Sequence, residues 1–104
     1  MIYSNGSLSK GSWVDCPLAQ SITNFNWILI SGLREGRTSS SALYVSINHI
    51  RDLTDTTPLM LLCNNTSWAD TQAQMVAYKN DTTLRSYIGV SLQNNRGLSV
   101  IGIK

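Results

Sequence analysis

The chain has 104 residues, a length that suits one folded domain, so we expect a single domain over residues 1–104 with one core. Apolar residues make up 42% of it and charged residues 13%, which argues against disorder and predicts a surface built largely from Ser, Thr, Asn and Gln. The net charge of +2 is too small and too scattered for nucleic-acid binding, and no stretch reaches the roughly 20 apolar residues needed for membrane insertion.

Gly and Asn interrupt the chain at short intervals. Examples are Asn5-Gly6, Ser31-Gly32 and the run at residues 94–97. Short apolar segments lie between these marks, which leaves little room for long helices and is typical of sandwiches and barrels. We therefore predict an all-β fold, an antiparallel β-sandwich resembling a jelly roll, with about eight short strands.

The first strands in chain order are weakly marked. Short strands are predicted at Tyr3 and at residues 7–13, and a turn at residues 21–24. Residues 25–30 and, later, residues 59–63 are apolar on both faces of a strand. One face of each strand in a sandwich looks outward, so either a second subunit or a local loop covers that face. Both alternatives remain open.

The clearest strand spans residues 42–48. Leu43, Val45 and Ile47 alternate with more polar residues, which predicts one buried face. His49 follows and is interpreted as an ordinary residue at the end of that strand.

Three segments complete the chain. Residues 69–79 fit either a helix or a strand, and the neighbouring turns favour a strand. Residues 84–92 alternate again, and the chain returns as residues 97–104. We predict that these last two segments form an antiparallel hairpin.

The sequence offers few groups for catalysis. Cys16 and Cys63 have no further cysteine partners and are interpreted as buried free thiols, in preference to a disulfide. His49 stands alone, which excludes a zinc site, and the single Glu35 and five Asp form no motif. We predict no enzymatic activity, no catalytic residue, no metal site and no cofactor.

Polar loop residues beside an aromatic ring are the candidates for binding. Carbohydrate sites stack an apolar ring on a sugar, while Asn, Asp and Arg side chains bond its hydroxyls. The segments at residues 64–70 and, less clearly, 34–37 have this mixture. The candidate site residues are Asn64, Asn65, Trp68, Asp70, Arg34 and Arg37. Capping of the core is an equal alternative for Trp68, whereas Trp13 and Trp27 are predicted to lie in the core.

Several segments together resemble a known group of proteins. They are Ser-Ile-Thr-Asn-Phe-Asn-Trp-Ile-Leu-Ile at residues 21–30, the alternating strand at 43–47, Lys-Asn-Asp-Thr at 79–82, and the ending Val-Ile-Gly-Ile-Lys at 100–104. The chain resembles the C-terminal tip domains of tailed-bacteriophage tail fibres.

The resemblance implies a homotrimer at the fibre tip of a virion, made in the cytoplasm of the host. Such a tip attaches the virion to a host cell-surface polysaccharide or outer-membrane protein, through loops that supply no fixed set of residues. The apolar faces at residues 27–30 and 59–62 are the expected trimer contacts. A small polysaccharide-degrading enzyme and a trimerisation cap without its own receptor are the alternatives.

Overall fold

The fold consists almost entirely of strands. The computed structural model describes residues 1–34, 38–64, 71–92 and 95–104, with the backbone alone at residues 38–40, 63, 64, 71 and 72. In this part of the chain the strands are β1 (Tyr3–Asn5), β2 (Trp13–Pro17), β3 (Trp27–Arg34), β4 (Thr38–Ser46), β5 (Leu59–Asn64), β6 (Thr71–Asn80), β7 (Thr83–Tyr87) and β8 (Arg96–Ile103). A short 3₁₀ helix (Ile22–Asn24) precedes β3, and helix α1 (Ile47–Arg51) follows β4. Neither of these two described helices could span a membrane.

The strands form two antiparallel sheets of four. Sheet A has the order β1-β8-β3-β4 and sheet B the order β2-β7-β6-β5. The pairs β1–β8 and β2–β7 join the two halves of the chain in both sheets, while β3–β4 and β5–β6–β7 are consecutive neighbours. The predicted all-β, eight-stranded antiparallel sandwich is confirmed.

Side chains from the inner faces of both sheets meet in one hydrophobic core. Alternation along each strand turns every second residue inward, and these positions are mostly branched aliphatic. They include Ile28, Ile30, Val45, Leu98 and Val100 from sheet A, and Cys16, Leu61, Val76 and Leu84 from sheet B.

The predicted C-terminal strand is confirmed as β8, which lies inside sheet A between β1 and β3. Leu98 and Val100 are fully buried. A Cβ atom at Gly97 would overlap the Asn5 carbonyl oxygen, so the absence of a side chain there lets β1 approach. The strand prediction for residues 69–79 is confirmed over residues 71–79, which belong to β6, while residues 69 and 70 lie outside the described residues.

The predicted hairpin between residues 84–92 and 97–104 is wrong. Strand β7 ends at Tyr87 in sheet B, whereas β8 belongs to sheet A. Residues between them cross from one sheet to the other: Ile88 and Leu92 are buried without being in a strand, while Val90 faces solvent. The alternation of apolar and polar residues predicted the burial of Ile88 and Leu92 correctly, but it does not indicate which strand pairs with this segment.

Other details also differ from the predictions. Strand β4 ends at Ser46, whose Oγ accepts the backbone N–H of His49 (3.3 Å) and caps α1, so Ile47 and His49 are helical. Val45 is buried as expected, but Leu43 is 41% exposed because β4 is an edge strand. Residues 7–12 form no strand, and the turn at 21–24 contains the 3₁₀ helix.

Candidate functional site

The described parts of the two predicted binding segments lie at strand ends. Arg34 ends β3 and lies opposite Arg96, the first residue of β8. Asn64 ends β5 and lies opposite Thr71, the first residue of β6. The other predicted site residues, namely Arg37, Asn65, Trp68 and Asp70, lie outside the described residues, as does the side chain of Asn64.

A buried glutamine connects these two strand ends. The Gln74 side chain donates through Nε2 to Ser86 Oγ (3.0 Å) and to the Gly97 carbonyl oxygen (3.1 Å). Gln74 is near the start of β6, and Gly97 follows Arg96 at the start of β8. The flanks of both predicted loops are therefore at the same end of the sandwich, which we call the loop end.

Two arginines lie at the strand ends of the loop end. Arg96 is fully buried, and Arg34 beside it is half-buried; both have interaction partners in the fold. Burying a guanidinium or an amide is costly unless polar partners compensate, so this end depends on its internal contacts. Sequence reasoning missed Gln74 and Arg96. The one available signal was a glutamine at an inward-facing position of the strand, two residues before Val76.

The lateral edge formed by β4 and β5 is apolar, and we call it the open edge. Met60 and Leu62 are 54% and 63% exposed, beside Leu43 on β4. A shallow cavity of about 170 Å³ separates the two strands and is lined by Ser41, Ala42, Leu43, Met60, Leu61 and Leu62. The sequence of both strands contains no Asp, Glu, Lys or Arg.

Neither described tryptophan lies in the core, contrary to the prediction. Trp27 is half exposed on the outer face of sheet A. Trp13 is half-buried on the outer face of sheet B, where its ring centroid lies 5.7 Å from that of Tyr87 and 5.3 Å from the Arg85 guanidinium carbon. Arg85 also pairs with Asp55 (2.8 Å) and Asp15 (3.6 Å), so a polar network covers that outer face.

Metal ligands and reactive cysteines were the remaining groups to place. Within them, no three His, Cys, Asp or Glu side chains cluster as metal ligands would. Cys16 is a buried free thiol, and burial raises its pKa, which opposes formation of a reactive thiolate. The side chain of Cys63 and all of Glu35 lie outside the described residues.

Comparison with known proteins adds no relative. Neither the models of known protein families, nor the curated proteins, nor the solved structures that were searched gave a match to this chain.

Proposed function

We propose that the chain is a non-enzymatic receptor-binding module at the tip of a bacteriophage tail fibre, attaching the virion to a polysaccharide or outer-membrane protein of the host surface. The fibre tip comes from the sequence resemblance. The observation that carries the proposal is the open edge, because two uncharged edge strands that lie side by side and expose Leu43, Met60 and Leu62 favour association with further copies of the chain.

Association through the open edge has a clear driving force. Met60 and Leu62 are already partly buried in the single chain, at 54% and 63% exposure, so burial of the rest contributes about 1 kcal/mol or somewhat more for each side chain. Three copies with their open edges around one axis form a closed homotrimer. All three loop ends then point the same way along that axis.

The loop end is the proposed receptor surface. It combines the half-buried Arg34 with the polar and aromatic residues that follow the ends of β3 and β5 in the sequence, namely Arg37, Asn64, Asn65, Trp68 and Asp70. Three such surfaces on one tip raise the apparent affinity for a repetitive polysaccharide well above that of a single site.

Sedimentation velocity at micromolar concentration tests the assembly. We expect a trimer for the full chain and a folded monomer for Leu62→Lys, because three lysines cannot be buried at one axis. Val90→Lys is the matched control, since Val90 is equally apolar and 76% exposed but lies between β7 and β8. A monomeric parent chain, or a trimeric Leu62→Lys variant, contradicts the open edge as the contact.

Binding of the labelled chain to a panel of bacterial strains tests the receptor role. We expect binding to some strains and a loss of at least fivefold for Trp68→Ala, with oligomeric state unchanged. Unchanged binding removes Trp68 from the receptor site. A trimer that binds no strain supports the trimerisation cap, and oligosaccharides released from purified capsular polysaccharide support the enzyme.

A further inference from the structure

Two adjoining clefts lie at the end of the sandwich opposite the loop end. The first, of about 330 Å³, is polar and includes Thr23, Asn26, Ser46, Asn48 and Arg51 in its walls. The second, of about 360 Å³, is apolar and is lined by Trp27, Tyr44 and Ile103. Ser46 in the first cleft is the direct cross-strand neighbour of Trp27 in the second, so the two share a border.

We propose that these clefts together form a binding site for a neutral pyranose oligosaccharide, with one sugar stacked on the aromatic rings and its neighbour hydrogen-bonded in the polar cleft. The proposal needs one protomer only and does not rest on the fibre-tip assignment.

The aromatic half presents two exposed rings. Trp27 is 50% and Tyr44 65% exposed on the outer face of sheet A. Trp27 pairs with Ser46 and Leu29 with Tyr44, so the two rings are diagonal neighbours within reach of one ligand. The small Ser46 leaves the Trp27 ring uncovered toward β4. Exposed aromatic faces are where the apolar C–H face of a pyranose packs.

The polar half offers uncommitted hydrogen-bonding groups. The side-chain amides of Asn26 and Asn48 make no hydrogen bond to any other described residue, and both residues are exposed. Each amide carries a donor and an acceptor, which matches adjacent hydroxyls on a sugar ring. The combined volume of the two clefts suits a short oligosaccharide by the usual range for ligand sites of about 300–1,000 Å³.

The charge of the polar cleft selects an uncharged ligand. Arg51 is the one charged residue among the described residues that line either cleft. Its Nε and Nη2 donate to the two carboxylate oxygens of Asp81 (3.1 and 3.0 Å), and the Tyr78 hydroxyl donates to the same carboxylate (2.8 Å). The positive charge is thus already matched, while Nη1 stays outside the pair. A sulfate, phosphate or sialic acid therefore gains little here.

The walls of the polar cleft are held before any ligand arrives. The Phe25 ring packs directly on Gly102 of β8, where a Cβ atom would overlap it. Ser46 fixes the start of α1 by capping, and Arg51 at the end of α1 is tied to Asp81 in the β6–β7 turn. The backbone N–H of Ile22 also donates to the Asp81 carbonyl (2.9 Å). Binding to a preorganised cleft is stronger because fewer side chains and loops must be ordered when the ligand binds.

Titration with a defined saccharide panel tests the site. The probes are neutral oligosaccharides of glucose, galactose, mannose and N-acetylglucosamine, with sulfated and sialylated counterparts, followed by ligand-observed NMR on the full chain. We expect at least one neutral probe to bind with a Kd of about 0.1–5 mM, as suits a shallow site. The proposal is overturned if none of the neutral probes saturates the chain below about 10 mM. It is also overturned if the charged probes bind more tightly than the neutral ones and their binding weakens with salt.

Four variants assign the binding to this site. Trp27→Ala should weaken it at least tenfold and the exposed Asn48→Ala about fivefold, whereas Tyr44→Phe keeps the ring and should stay within twofold. Trp13→Phe, on the other sheet, is the control and should change nothing. Unchanged affinity in Trp27→Ala and Asn48→Ala overturns the proposal.

Sedimentation of the same variants separates this site from the assembly. We expect Trp27→Ala to keep the oligomeric state of the parent chain, and Leu62→Lys to keep the saccharide affinity per protomer. If Trp27→Ala changes the oligomeric state and no saccharide binds, a second copy occupies the apolar cleft and the proposal is wrong. If Leu62→Lys leaves the oligomeric state unchanged, the result contradicts the proposed assembly through the open edge and does not bear on the saccharide site.

Discussion

The two lateral edges of the sandwich are built differently. The edge formed by β1 and β2 has short strands of three and five residues, and β2 carries Asp15 and Pro17. Asp15 pairs with Lys79 (2.6 Å), and the Ala19 N–H donates to the Ile2 carbonyl (2.8 Å), which ties the chain after β2 to the chain before β1. The edge formed by β4 and β5 is longer and lacks both charge and proline.

The difference shows where the fold resists further pairing and where it permits it. Charges, proline and short length prevent another strand from adding to an edge. The β1–β2 edge has all three, and we call it the guarded edge. The open edge instead exposes Leu43, Met60 and Leu62. In the proposed assembly, association through the open edge and protection of the guarded edge together limit growth to a closed oligomer.

The largest expected effect comes from removing what holds the guarded edge. Deletion of residues 100–104 takes away Val100, which is fully buried and pairs with both Tyr3 of β1 and Ile30 of β3. The total stability of a domain this size is about 5–15 kcal/mol, and we expect the deletion to exceed it. Far-UV circular dichroism should show an unfolded chain, whereas deletion of the exposed Lys104 alone should leave the spectrum unchanged. A folded truncation would show that β8 is dispensable.

A pair of substitutions at the open edge separates folding from assembly. Leu61 points into the core, and Leu61→Ala should cost about 2–5 kcal/mol at every protein concentration. Leu62 is its exposed neighbour. In the dilute monomer, Leu62→Ala should lower the free energy of unfolding by no more than about 0.5 kcal/mol, and the loss should be larger once the chain assembles. Urea unfolding at two protein concentrations measures both. If the stability losses caused by Leu61→Ala and by Leu62→Ala depend equally on protein concentration, the chain does not associate through this edge.

Opening the guarded edge should have a smaller, purely associative effect. The double variant Asp15→Val, Pro17→Val removes the charge and the proline from β2, and we expect light scattering to rise with concentration. Loss of the two ion pairs that Asp15 forms, with Lys79 and with Arg85, should change stability by less than about 1 kcal/mol each. Lys79→Val is the matched control, because it removes the shorter of these two ion pairs from the interior strand β6 and leaves β2 unchanged. Scattering like that of the parent chain in the double variant would show that other features protect this edge.

Local sequence patterns predicted where the strands are better than they predicted which strands pair with each other. Alternation and flanking turn residues are properties of adjacent residues, so β6 and β8 could be predicted. Pairing depends on how the two sheets share the core, so the sequence could not show that β7 and β8 lie in different sheets. Leu43 was predicted to be buried because apolarity indicates burial, but its exposure follows from the edge position of β4.

The candidate site was predictable only in outline. Arg34 and Asn64 were chosen for their residue types, and the structure brings their strand ends to one end of the sandwich. The Gln74 contact with Gly97 joins residues 23 positions apart, so no local pattern contains it. The exposure of Trp27 also depends on the tertiary arrangement, since Ser46 opposite it is small. The remaining candidate residues stay predictions.

The smallest predicted effect is the contribution of the guarded edge to the pH dependence of stability. Burial, followed by the interaction with Cys16 of β2, raises the pKa of Tyr3 from 10.0 to about 12. The folded chain therefore holds this proton more tightly than the unfolded chain, so the contribution of Tyr3 to stability is complete below pH 10 and falls as the pH rises toward 12. Burial also raises the pKa of Cys16, which adds a loss of the same sign from about pH 9.

Thermal melts between pH 8 and 12 measure this slope. Tyr3→Phe should flatten it between pH 10 and 12, because phenylalanine has no proton to lose. Hydrogen exchange of the β1 amides should become faster over the same range before that of β4. Identical slopes for the parent chain and Tyr3→Phe would mean that the guarded edge does not depend on the Tyr3 proton.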